Sequence, residues 1–200
     1  NQYLNSIISI NNNIIKEARE KDKTKPKSIY SLHGIPILLK DNINYDGLAT
    51  TAGSFALNDN ISSDAFVVDK LKANGALILG KTNLSEWAYY FCNDCPSGYS
   101  AIGGQTLNPY GRKKFDTGGS SSGSGVAISA NFSTVSLGSE TSGSILSPSS
   151  ANSIVGLKPT TGLVSRSGIV PISSTLDTSG PMTKNVIDTA IVLNVISGYD

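Results

Sequence analysis

The chain has 200 residues, 38% hydrophobic and 16% charged, enough apolar material for one sizeable core and too much for a disordered polymer. Sixteen basic and fifteen acidic residues leave a formal charge of +1, which gives no electrostatic reason to expect nucleic acid or an anionic membrane as partner. The longest apolar runs, at 35–39 and 76–79, fall far short of the ~20 residues of a membrane-spanning helix. Leu4, Ile7, Ile8, Ile14, Ile15 and Ala18 follow helical spacing and predict an amphipathic helix over 4–18, with a charged, solvated connection over 16–27 broken by Pro26. Residues 35–39 read as a strand buried on both faces that delivers Lys40, Asp41 and Asn42 at its end. Asp64 is positioned to cap a helix through Phe66, Val67 and Leu71 that stops at Gly75, and 76–79 reads as a second buried strand. Residues 96–124 are dominated by Gly, Ser, Pro and Asn. A small-residue helix is predicted over 126–130, strands over 134–137 and 154–157, and a last helix over 186–196. The order implies an α/β fold with a largely buried sheet. Asn1 is not an initiator methionine and Asp200 falls in what reads as a helix, so the chain is expected to be cut from something longer.

The densest chemistry lies at 118–125, Gly-Gly-Ser-Ser-Ser-Gly-Ser-Gly, and 138–144, Gly-Ser-Glu-Thr-Ser-Gly-Ser. Such composition commonly marks a flexible linker. Both stretches abut apolar segments of regular structure, which favours tight turns whose glycines let backbone approach a substrate and whose hydroxyls and N–H groups share one site. Residues 75–82 fit the phosphate-loop pattern G-x-x-x-x-G-K-[ST] letter for letter, yet Ala-Leu-Ile-Leu reads as the strand itself, where a phosphate loop needs the strand before its first glycine. Gly119 to Gly123 fits the nucleophile elbow G-x-S-x-G, which would make Ser121 the nucleophile, but that fold needs a histidine after the serine and His33 precedes it. Cys92 and Cys95 lack the further ligands of a zinc site and read as two loop thiols. With a single histidine, the proton acceptor for a serine nucleophile must be a carboxylate or a lysine. Lys40 is the best-placed candidate, since burial at a strand end lowers a lysine pKa; the alternative is an exposed strand-end charge.

Further collinear motifs stand at 32–42, Leu-His-Gly-Ile-Pro-Ile-Leu-Leu-Lys-Asp-Asn; 80–87, Gly-Lys-Thr-Asn-Leu-Ser-Glu-Trp; 103–110, Gly-Gly-Gln-Thr-Leu-Asn-Pro-Tyr; and 155–160, Val-Gly-Leu-Lys-Pro-Thr. Together with the two Gly/Ser stretches they resemble the amidase signature family, and 162–182 looks most like its branch containing peptide amidases. The resemblance implies an α/β/α fold with a mixed sheet, and hydrolysis of a carboxylic amide without metal or cofactor. It implies a triad of Lys40 as neutral base, Ser120 as the relay preceded by a cis peptide bond, and Ser144 as nucleophile forming an acyl-enzyme. Thr141, Ser142, Gly143 and Ser144 match the family's oxyanion-binding turn. Many members carry Gly-Gly-Ser-Ile-Arg where this chain has Ser142-Gly143-Ser144-Ile145-Leu146; the peptide-amidase-like branch shares that departure. Members are much longer, so residues 1–200 are expected to be the N-terminal, active-site-bearing portion of a single amidase domain. The expected partner is a small-molecule or peptide amide substrate, with no nucleic acid and no membrane span, and homo-oligomerisation is left open. Two alternatives are a glutamine-hydrolysing amidotransferase subunit, disfavoured by Ser142 and the Arg166 region, and a non-catalytic nucleotide-binding or scaffold module around 75–82.

Overall fold

The computed structural model describes residues 1–92 and 94–200. The helix expected over 4–18 divides into an edge strand, β1 (Ile7–Ile10), and a helix, α1 (Ile14–Lys21). Ile-Ile-Ser-Ile is rich in β-branched residues, which suit a pleated surface. Asn11 then interrupts the helical pattern: its Nδ2 donates to Ile78 O and Tyr45 Oη, both at 3.1 Å, and its Oδ1 accepts from Asn13 N at 2.9 Å. Such side-chain bonds compete with helical backbone pairing and delay the helix start, so the charged stretch expected to be a connection begins as helix.

β2 (Pro36–Lys40), α2 (Phe66–Ala73) and β3 (Leu77–Thr82) follow the expected order. Asp64 does not cap α2, whose N-cap is Ala65; it accepts from Asp46 N at 2.9 Å and pairs with Lys72. A small hairpin, β4 (Tyr99–Ser100) and β5 (Gly104–Gln105), leads to α3 (Ser122–Ser129), β6 (Val135–Glu140), α4 (Leu146–Ala151), β7 (Val155–Gly156), β8 (Thr178–Thr183) and α5 (Val186–Ile196). The last helix ends short of Asp200.

The main sheet has the order β1-β3-β2-β6-β8-β7. Its centre, β3-β2-β6, is parallel, while β1 and β8 run antiparallel to their neighbours β3 and β6. Ile37 and Leu39 join Val67, Val68 and Leu71 of α2 and Val192 and Ile196 of α5 in one core. Strand alternation places Leu38 and Lys40 on the opposite face, which α3 covers. The architecture is thus α/β/α with a mixed sheet.

β8 was not legible, because Gly180-Pro181 argues against a strand interior. Here Pro181 O accepts from Leu157 N at 3.1 Å, so the position lacking an N–H faces the β7 side and the β6 ladder is spared. The helix α3 is Gly/Ser-rich and starts earlier than expected. Its residues Ser122 to Ile128 are all buried, and packing offsets poor propensity. A Cβ on Gly123 would lie 2.4 Å from Asn83 O and from Ser6 O; only glycine lets α3 sit this close to the sheet. Cys92 and Cys95 are bonded to each other, not free thiols; their spacing leaves the sulfurs within covalent reach. Among the described residues no helix is long and apolar enough to cross a membrane.

Candidate active site

Parallel β2 and β6 end side by side, and the carboxyl ends of such strands are where α/β sheets place ligands. Lys40 closes β2; Ser139 and Glu140 close β6, which runs three residues into the second Gly/Ser stretch, past the strand end expected at 137. Lys40 is fully buried, so it is not an exposed strand-end charge. Its Nζ donates to Ser120 Oγ at 2.7 Å, Ser139 Oγ at 3.0 Å and Ser139 O at 3.2 Å, and Asn42 Nδ2 donates to the same Ser139 Oγ at 2.8 Å. Burial lowers the amine from 10.5 to about 7, against the opposing negative charges of Glu140 and Asp177. A lysine tuned this way is neutral in a large share of molecules near neutral pH and can take a proton.

Ser120 is fully buried and follows a cis Gly119–Ser120 bond. Its carbonyl accepts from Ser85 N at 3.0 Å. Gly119 presses on Tyr89: a Cβ there would lie 2.2 Å from Tyr89 Oη. One residue on, Ser121 N donates to Ser144 O at 3.0 Å. The structure therefore puts Lys40 and Ser120 in direct contact and ties Ser144 to the same turn through one backbone bond. Ser144 is 7% exposed, and among the described residues its hydroxyl and the N–H groups of Ser142 and Ser144 have no hydrogen-bond partner.

Gly143 differs from its expected part. At φ +83° it makes the bend, but its N–H donates to Glu140 Oε1 at 2.8 Å and is not free for an oxyanion. Thr141 Oγ1 donates to Asp177, whose other oxygen accepts from Ile172 N at 2.7 Å and Ser173 N at 2.9 Å. Glu140, Asp177, Asn42 and Ser139 went unassigned in the sequence. A lone carboxylate inside a Gly/Ser run just ahead of a helix start was the available signal for Glu140. A cleft of about 320 Å³ adjoins these groups, bordered by Asn42, Ser139, Glu140, Thr141, Arg166 and Asp177, and it meets the lysine through Ser139.

The competing motifs dissolve in the fold. Residues 77–82 are β3, and Lys81 is buried with its Nζ 3.3 Å from Asp41 Oδ1 and 2.9 Å from Thr50 Oγ1, leaving no phosphate cradle. The Ser121 hydroxyl donates to Ser139 O at 3.1 Å and accepts from Ser139 N at 3.3 Å, which occupies it structurally. His33 lies 3.1 Å from Lys21 O, outside the site. The buried, hydrogen-bonded serines of 118–125 are no linker. Among the described residues no three His, Cys, Asp or Glu side chains are grouped to hold a metal ion.

A family model for amidases matches residues 1–200. A probable amidase of Arabidopsis thaliana is 48% identical over all of this chain, which covers 40% of its length. The crystal structure of the native peptide amidase from Stenotrophomonas maltophilia superimposes with a TM-score of 0.95 at 52% identity, over 98% of this chain and 41% of that one. A glutamyl-tRNA(Gln) amidotransferase subunit of Deinococcus radiodurans is 40% identical over 98% of this chain and 40% of its own length. The chain thus spans about two fifths of these relatives.

Proposed function

The chain belongs to the amidase family, and from that premise we propose that it hydrolyses carboxylic amide C–N bonds with Ser144 as nucleophile, Ser120 as proton relay and Lys40 as base. The observation that carries this reading is the 2.7 Å contact between Lys40 Nζ and Ser120 Oγ in a buried pocket. In the reacting state neutral Lys40 takes the Ser120 proton while Ser120 takes that of Ser144, whose oxygen attacks the amide carbon. The N–H groups of Ser142 and Ser144 stabilise the developing oxyanion; one such donor is typically worth ~3–4 kcal/mol. The tetrahedral intermediate collapses, the C–N bond breaks, and the relay returns its proton to the departing ammonia or amine. Water, deprotonated by the same relay, then cleaves the acyl-enzyme and restores the Ser144 hydroxyl.

Similarity to the peptide amidase favours a peptide amide as substrate; the 40% identity to an amidotransferase subunit keeps glutamine as the second reading. The test is ammonia release from a peptide amide and from glutamine. Turnover of the peptide amide that disappears in Ser144→Ala and in Lys40→Ala is expected. Activity confined to glutamine would favour the second reading, and activity retained by Ser144→Ala would refute both.

A further inference from the structure

Glu140 takes no part in the proton path, yet its carboxylate accepts three backbone hydrogen bonds. It is 3% exposed at the end of β6. Its Oε1 accepts from Gly143 N at 2.8 Å, and its Oε2 accepts from Ile145 N at 2.7 Å and Leu146 N at 3.0 Å. The bonds fall on both flanks of Ser144. Two of these donors open α4, whose N-cap residue Ile145 supplies no side-chain acceptor; a carboxylate from the preceding strand satisfies N–H groups that would otherwise be orphaned.

We infer that Glu140 is a positioning residue: by gripping the amides before and after Ser144 it fixes the backbone that carries the nucleophilic hydroxyl and the free N–H groups of Ser142 and Ser144. The inference rests on the hydrolase reading of Ser144. A bend of Gly, Ser and Thr has little rigidity of its own, and three charge-assisted bonds to one buried group remove its freedom. The bonds also commit Gly143 N–H to the protein, so the N–H groups of this turn left without a partner are those of Thr141, Ser142 and Ser144.

The same carboxylate has a second, separable effect. The charges acting on Lys40 are Glu140 at the end of β6 and Asp177 on the loop before β8; Lys81 on β3 is engaged by Asp41 and Thr50 instead. Both carboxylates favour the protonated lysine. Removing the Glu140 charge therefore moves the base midpoint to lower pH, while loosening the turn lowers the maximal rate. The midpoint shift follows from the charge alone, whereas a side chain needed only for folding would leave the plateau rate unchanged in the molecules that fold.

The test is the rate of covalent labelling by a fluorophosphonate between pH 5 and 9, read by intact mass, on folded wild type, Glu140→Gln, Glu140→Asp and Ser144→Ala. Glu140→Gln is expected to lower the plateau rate on the order of tenfold to a hundredfold and to shift the midpoint below that of the wild type. Glu140→Asp, which keeps the charge but shortens the reach, is expected to lower the plateau with the midpoint unchanged. Folded Glu140→Gln labelling at the wild-type plateau rate, whatever its midpoint, overturns the inference. If Glu140→Gln does not fold, Glu140→Asp decides, and a wild-type plateau in it overturns the inference equally. Failure of the wild type to label, or equal labelling of Ser144→Ala, sinks the hydrolase reading itself and the inference with it.

Discussion

A lysine amine taken out of water loses hydration that hydrogen bonds to two serines only partly replace, and for Lys40 this brings its pKa to about 7. Under the proposed mechanism the neutral form is the active one. kcat/KM is expected to be low in acid, to rise through about pH 7 and to level off above it; a profile flat from pH 5 to 9 would contradict this. The stability consequence has a definite sign. Between about 7 and 10.5 the unfolded chain binds the proton that the fold rejects, so stability rises with pH across that window and is lowest below it. The displacement corresponds to roughly 5 kcal/mol at ~1.4 kcal/mol per tenfold change in proton affinity. Lys40→Met is expected to end turnover and yet to raise stability at pH 6 by about 1–3 kcal/mol, with a smaller gain at pH 9, measured by urea unfolding. Lys81 is also lowered by burial, but it faces Asp41. Lys81→Met is therefore expected to destabilise by about 3–5 kcal/mol, because Asp41 is left buried without its counter-charge.

At the level of elements, what was legible is what periodicity and continuous apolar runs encode. Pro36–Lys40 and Leu77–Thr82 announced themselves as buried strands, and Val186–Ile196 as a helix, so Lys40 could be placed at a strand end before any geometry was known. The first twenty residues misled because isoleucines at 7, 8, 14 and 15 satisfy a helix template, while the deciding feature was the Asn11 side chain. The Ser139 contacts of Lys40 and Asn42 depend on β2–β6 pairing, and the engagement of Gly143 by Glu140 depends on how far β6 extends; neither is written in local sequence. α3 was half seen, since its Gly/Ser half is helical only because the sheet beneath it is close. Gly123→Ala tests this closeness. With backbone oxygens of Asn83 and Ser6 at 2.4 Å from the added carbon, it is expected to cost about 1–3 kcal/mol in urea unfolding; a neutral effect would show that α3 can move away freely.

Across the whole molecule, the parallel centre of the sheet, the two Gly/Ser turns and the cleft beside Thr141 converge on one edge, where strand ends supply the base and turns supply the serines. That convergence, in a chain spanning about two fifths of its relatives, makes the central claim a chemical one: Ser144 is an activated nucleophile. The most direct measurement is intact-protein mass spectrometry after exposure to a fluorophosphonate probe, on the wild type and on Ser144→Ala. The account predicts a single adduct on the wild type at pH 8, mapped to Ser144, and none on the variant. Wild-type protein that is folded and unlabelled, or an adduct that persists in Ser144→Ala, would contradict it.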